Sequence, residues 1–193
     1  MNSQELYSFV FRGLLAEEAL DKTSRISKYG KSEALDKEIA KKCSLELLSD
    51  DFAIPARRMA TVYTVIAAFE NSVRDLVTKK LLEVGGANWW QDCVPEGIRT
   101  RAESRKSEEE KILWHSARGQ ALINYVEFGN LLGIIKCNWA HFEDLLQSQE
   151  WVHYIFETLE RSRNVIMHSG KLSLSDVERI GSVVRDWVKQ TGG

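Results

Sequence analysis

Residues 55–86 read PARRMATVYTVIAAFENSVRDLVTKKLLEVGG, and this stretch decides the fold class. Met59, Val62, Ile66, Phe69, Val73, Leu76 and Val77 recur at the three- and four-residue steps that place side chains on one face of an α-helix. Pro55 suits a first-turn position, where its missing N–H has no partner to lose, and Gly85-Gly86 stops the run. A one-sided apolar stripe kept up over so many turns must pack against other elements, and the flanking sequence offers more helices to do so.

Upstream, Leu6, Val10 and Leu14 form a stripe with Asn2 or Ser3 placed to cap it, Gly30 ends the stretch that follows, and a second helix is expected from about Ser32 to Leu48. Downstream, residues 87–106 (ANWWQDCVPEGIRTRAESRK) keep no period and predict a structured loop carrying Arg99, Arg101, Arg105 and Lys106. Ser107 and Glu110 have capping-box spacing, which predicts a helix start that turns Ile112 and Leu113 inward. Helical stretches follow at YVEFGNLLGIIK (125–136) and WAHFEDLLQ (139–147). From Trp151 to Met167 the stripe is Val152, Ile155, Phe156, Leu159 and Ile166, with Gly170 where a left-handed cap belongs. Ser175 with Glu178 is expected to start a last helix whose inner face is Val177, Ile180, Val184 and Val188. The fold class is therefore all-α, a compact helical bundle.

The chain has 193 residues, 44% of them hydrophobic, enough for one cored domain with a helical extension. Pro55 and Pro95 are its two prolines, too few for the turn-rich pattern of an all-β protein. A net charge of -2 supplies no global field toward phosphate or an anionic membrane, so any nucleic-acid contact must use a local patch. Cys43, Cys93 and Cys137 are odd in number and far apart, which fits a reducing cytoplasm rather than a disulfide framework or zinc cage. The N-terminus has no basic start, apolar core or cleavage site, and no stretch approaches membrane-spanning length; a soluble, unprocessed chain is expected. Phosphate-binding glycine loops, H-E-x-x-H and G-x-S-x-G are absent. His115, His141, His153 and His168 show no metal-ligand spacing, so no metal and no cofactor is expected.

Chemistry concentrates in LERSRNVIMHSG, residues 159–170. At about 100° per residue, Glu160, Asn164 and His168 follow one another on one face, while Arg163 and His168 stand about 140° apart. Arg163 lies on the shoulder of the apolar stripe and His168 on the outer face, so the two meet at one phosphate only through a frayed helix end or a second subunit. Histidine moves protons near neutral pH, and a guanidinium holds phosphate oxygens through paired hydrogen bonds. Together they suit phosphodiester transfer, which needs no metal where RNA supplies its own 2′-hydroxyl. The bland reading of the same residues is a histidine that only caps the helix and meets its negative dipole end.

At these residues, RNVIMH (163–168), the chain resembles the HEPN superfamily (higher eukaryotes and prokaryotes nucleotide-binding), whose ribonuclease members share Arg, four to six residues, then His. AAFENSVRDLV (67–77), ANWW (87–90) and INYVEFGNLLGII (123–135) with the following Trp139 are similar to the branch named after a nuclear transcript-surveillance endoribonuclease. The likeness runs from about Arg58 to Lys189. It implies a HEPN-like helical bundle over 53–193 preceded by an N-terminal helical extension over 1–52. It also implies a homodimer that packs the motif helices of two subunits around one metal-independent RNase cleft. In that setting His168 is general acid or base, Arg163 binds the phosphate and Asn164 orients either. Glu70 and Arg74, i and i+4 on the long helix, border the cleft or form an ordinary ion pair, and Glu160 is a further substrate-binding candidate. RNA is the implied partner, with an antitoxin or regulatory protein, and a toxin or antiphage defence role is the analogy. The alternative is a non-catalytic HEPN module for RNA binding or dimerisation. The Arg99–Lys106 cluster is diluted by acids and reads as a solvated face, and Trp89 and Trp90 read as packing residues rather than base-stacking ones.

Overall fold

A computed structural model describes residues 28–192, which form helices joined by short turns with no strand among them. The protein is all-α. The helices are α1 (Lys28–Lys42), α2 (Asp50–Gly85), α3 (Trp89–Cys93), α4 (Glu96–Glu110), α5 (Phe128–Cys137), α6 (Gln149–Met167) and α7 (Leu174–Thr191). Single 3₁₀ turns lie at Leu45–Leu47, Gly86–Asn88, Leu122–Tyr125 and Trp139–His141. The backbone divides into two compact units between Ala53 and Ile54.

In the first unit the Leu6–Leu14 stripe lies outside the described residues. The helix expected from Ser32 to Leu48 instead spans Lys28–Lys42, with Gly30 inside it. An interior glycine costs about 1 kcal/mol relative to alanine, which weakens a helix without ending it. The chain turns at Ser44, whose φ of 53° is left-handed.

In the second unit the stripe of α2 is buried as its period requires, with Ile66, Val73, Val77 and Leu81 wholly inaccessible. The helix begins five residues before Pro55, which is therefore interior and not in the first turn. The upstream start is favoured by Asp50 and Asp51 at the positive helix end and by Ser49 Oγ, which accepts the Asp51 N–H at 3.3 Å. Four helices meet at an aromatic centre. Phe69 of α2 meets Phe128 of α5, Phe156 of α6 and Trp187 of α7 edge-on at 6.2, 6.3 and 5.3 Å. Phe128 stacks on Phe156 at 4.8 Å, and Trp151 on Trp187 at 5.8 Å.

The expected loop over 87–106 is mostly helical, as α3 and α4. Pro95 stands before α4, where its carbonyl accepts Ile98 N–H at 2.9 Å and Arg99 N–H at 3.1 Å. Ile98 and Ala102 are the helix's only buried residues, too few to leave a readable stripe, while its Arg, Lys and Glu content favours helix intrinsically. Ser107 and Glu110 consequently end a helix instead of starting one, and Ile112 and Leu113 are exposed. The Arg99–Lys106 cations are tied to the protein itself. Arg99 Nε donates to Val94 O at 3.1 Å, Arg101 Nε to Gly97 O at 2.8 Å, Arg105 Nη1 to Tyr125 O at 3.1 Å and Lys106 Nζ to Gln120 O at 2.9 Å. Trp90 is buried and donates to Glu103 Oε1 at 3.2 Å, and Trp89 packs on the core.

Residues 139–147 form a 3₁₀ turn and further turns, not a helix, because Phe142 and Leu146 are buried from a chain that must bend back to α6. The last helix is capped two residues earlier than expected. Ser173 and Asp176 form the capping box, with the Asp176 N–H donating to Ser173 Oγ and the Ser173 N–H to Asp176 Oδ2, both at 3.2 Å. Its buried residues are Ile180, Val183 and Trp187, while Val188 is 43% exposed.

Candidate functional site

Glu70 and Arg74 sit beside the buried Ile66, Phe69 and Val73 of α2, so their stems are held by the core while their charged ends reach its edge. The Arg74 guanidinium pairs with Glu70 Oε1 and also donates to Ile123 O at 3.3 Å, Val126 O at 3.1 Å and Asn71 Oδ1 at 3.2 Å. Arg74 thus clips α2 to the turn that leads into α5. Glu70 is buried, and its second oxygen lies 3.8 Å from Arg163 Nε of α6. This carboxylate is placed between two guanidinium groups and is more than one half of a helical ion pair.

Arg163 comes one turn after Leu159, which is fully buried, and is half-buried on the shoulder of the stripe. Its Nε is inaccessible to solvent and has no hydrogen-bond partner; among the described residues it is the one buried side-chain nitrogen or oxygen so left. The 3.8 Å separation from Glu70 supplies attraction without a hydrogen bond. An unmet buried donor of this kind costs on the order of 1–3 kcal/mol, more when charged, and is stabilised by any acceptor that reaches it.

Arg163 also lines a polar cleft of about 410 Å³. Its walls are Glu70 and Arg74 from α2, Glu160 and Arg163 from α6, Phe128 from α5, and Arg118, Asn124, Val126 and Glu127 from the segment leading into it. Glu160 lies against the first turn of α5, where a Cβ on Gly129 would come within 3.0 Å of Oε1. The absence of a side chain at Gly129 leaves the carboxylate room beside the positive end of that helix. Tyr125, buried between Asn124 and Val126 in sequence, donates its hydroxyl to Gly119 O at 3.1 Å, and burial followed by the charge of Glu109 pushes its ionisation up.

Asn164 and His168 are exposed on the same helix and do not line the cleft. His168 ends α6, its N–H donating to Asn164 O at 3.1 Å. The left-handed residue expected at Gly170 is Ser169, with φ of 60°. Ser169 N–H reaches Ile166 O at 3.0 Å and Gly170 N–H reaches Val165 O at 2.8 Å, the paired bonds of a Schellman cap. Gly170 is needed for closeness, since a Cβ there would lie 2.8 Å from Val165 O.

Glu70, Arg74, Glu160 and Arg163 are therefore brought together, and Asn164 and His168 stand apart from them. Arg118, Asn124 and Glu127 join the cleft without having been singled out from sequence. Asn124 and Glu127 lie inside the INYVEFGN stretch, but Arg118 sits where no periodicity marks it. Among the described residues no group of three or more His, Cys, Asp and Glu is arranged to hold a metal ion, and no helix is long and apolar enough to cross a membrane.

No curated protein and no solved structure matches the chain significantly. The family model described as Swt1-like HEPN matches residues 64–192, taking in every residue of the cleft and all of the Arg163–His168 motif. With two thirds of its length so matched, from the middle of α2 through α7, the chain belongs to the Swt1-like HEPN family.

Proposed function

We propose that the chain is an endoribonuclease that cuts RNA without a metal at a site shared by two copies of α6. The single observation behind this reading is Arg163, its side chain 34% exposed on the wall of a polar cleft beside Glu70, Arg74 and Glu160. A scissile phosphate in the cleft accepts from the accessible part of the Arg163 side chain. The 2′-hydroxyl attacks phosphorus, His168 takes its proton or protonates the departing 5′-oxygen, and the products are a 2′,3′-cyclic phosphate and a 5′-hydroxyl. Asn164, one turn before His168, orients the imidazole or the phosphate.

The second copy answers the divergence of Arg163 and His168. Val165 and Met167, 40% and 56% exposed, flank Asn164 and His168 and offer apolar area to a facing α6. The domain is taken to span 53–193 with a helical extension over 1–52. A cytoplasmic toxin or antiphage effector held in check by an antitoxin or regulatory protein is the setting this reading favours.

Purified protein should cut RNA in EDTA, spare DNA and lose that activity in His168→Ala. The second reading, a non-catalytic module for RNA binding or dimerisation, is favoured by the absence of His168 from the cleft wall. It predicts RNA binding or dimer formation with no His168-dependent cleavage. Sequencing of cleavage ends in cells expressing wild type and His168→Ala covers the case of a gated site and names the RNA.

A further inference from the structure

Arg118 faces two spaces. Besides the polar cleft it lines an adjoining, largely apolar hollow of about 430 Å³ together with Glu109, Ile112, Trp114, His115 and Ser116. The loop 111–121, which carries all of these but Glu109 of α4, has no regular helix, but its base is pinned. Arg118 donates its N–H to Glu109 Oε2 at 3.0 Å, and its Nε lies 2.7 Å from Oε1. The Arg118 guanidinium also sits over the Tyr125 ring at 5.9 Å, Tyr125 holds Gly119 O, and Lys106 holds Gln120 O.

On this fixed base Leu113 and Trp114 are 92% and 86% exposed. Trp114 is braced by His115, with ring centres 5.5 Å apart and planes at 89°. A tryptophan so exposed leaves a large apolar face in water on a loop that is otherwise tied down.

We infer that Trp114 is a stacking platform for an unpaired base of single-stranded RNA, and that the adjacent phosphate of the same strand occupies the polar cleft. The inference rests on the reading of that cleft as a phosphate site and adds the class of RNA it takes. An RNA strand alternates an anionic group with a flat apolar one, and here a polar cleft walled by three arginines and three glutamates adjoins an apolar hollow, Arg118 being common to both. Duplex RNA hides its base faces, whereas unpaired bases are free to stack on an aromatic ring. Trp114 therefore selects loops and single strands.

The test is fluorescence anisotropy on the full chain with a short labelled 2′-O-methyl RNA, which lacks the nucleophile and reports binding independently of cleavage. Trp114→Ala should weaken binding of the single strand by about 5- to 150-fold, the range for loss of one stacked base. Trp114→Phe should recover most of it, and the inhibition constant of inorganic polyphosphate, taken with each protein's own RNA affinity, should be the same in all three proteins. Equal affinity of wild type and Trp114→Ala would overturn the inference, as would equal or tighter binding of the duplex. A change in oligomeric mass on Trp114→Ala without a change in RNA affinity would also overturn it, and would assign the face to a second copy of the chain. Arg163→Ala reports separately on the phosphate reading, since it should weaken polyphosphate. His168-dependent cutting of unmodified RNA reports on catalysis, so failure of the nuclease reading and failure of the platform are told apart.

Discussion

Glu70 and Ser169 both hold settings that their residue types disfavour. Glu70 is a buried carboxylate that offsets two guanidinium groups. Glu70→Gln keeps the shape but leaves Arg74 and Arg163 facing each other without a counter-charge. It should lower stability by about 1–3 kcal/mol in urea unfolding and release Arg163 from its position. A midpoint unchanged from wild type would show that solvent already screens the pair. Ser169 holds a left-handed conformation at the end of the motif helix. Ser169→Gly should therefore stabilise the fold by ~0.5–1 kcal/mol, and Gly170→Ala should destabilise it because of the 2.8 Å approach to Val165 O. Opposite shifts in melting temperature for these two neighbours would confirm the assignment of the cap. At Arg163 itself, Arg163→Lys keeps the charge and loses the planar fork, so RNA cleavage should fall sharply while the melting temperature hardly moves.

Two helix starts and one turn carry the pH dependence. The Ser173 hydroxyl and N–H hold the Asp176 carboxyl below the ordinary range, the Lys80 ammonium does the same for Asp144, and the Glu150 N–H with the Ser148 hydroxyl does so for Glu150. Carboxyls with depressed folded values contribute stability that is fully present above their unfolded values, around pH 4, and is lost as pH falls through the folded ones. The urea midpoint should thus be flat near neutrality and decline from about pH 5 toward about pH 3. In Asp176→Asn that decline should be shallower, because one of the three groups no longer titrates. Ser173→Ala, which removes the cap of α7, should cost ~1 kcal/mol at neutral pH.

For the whole molecule, the angular separation of Arg163 and His168 on one helix carries the expectation of a composite site. Light scattering should give the mass of a dimer at micromolar concentration. Mixed Arg163→Ala and His168→Ala chains should regain cleavage, since each heterodimer then holds one intact set drawn from opposite subunits. No recovery from two folded, dimeric mutants would mean that both residues act within one chain, through a rearranged end of α6.

Periodicity alone determined that this is a helical protein, and it marked α2, α6 and α7, because a long amphipathic helix writes its buried face directly into residue spacing. The Arg163–His168 motif was equally legible, as was its 140° divergence, since both follow from helical geometry within one segment. Spacing was silent about α4, which buries two residues and turns the rest to water or to backbone carbonyls. Helix ends shifted by a few residues at Pro55, Ser173 and Ser169, where local hydrogen bonds outweighed residue preference. The cleft was decided by tertiary structure alone. Glu70 and Arg163 are 93 positions apart and Arg118 lies in an aperiodic loop, so their meeting depends on how α2, α5 and α6 pack around Phe69, Phe128 and Phe156. No local pattern encodes that proximity, because it is the aromatic core, and not the charged residues themselves, that sets the distance between them.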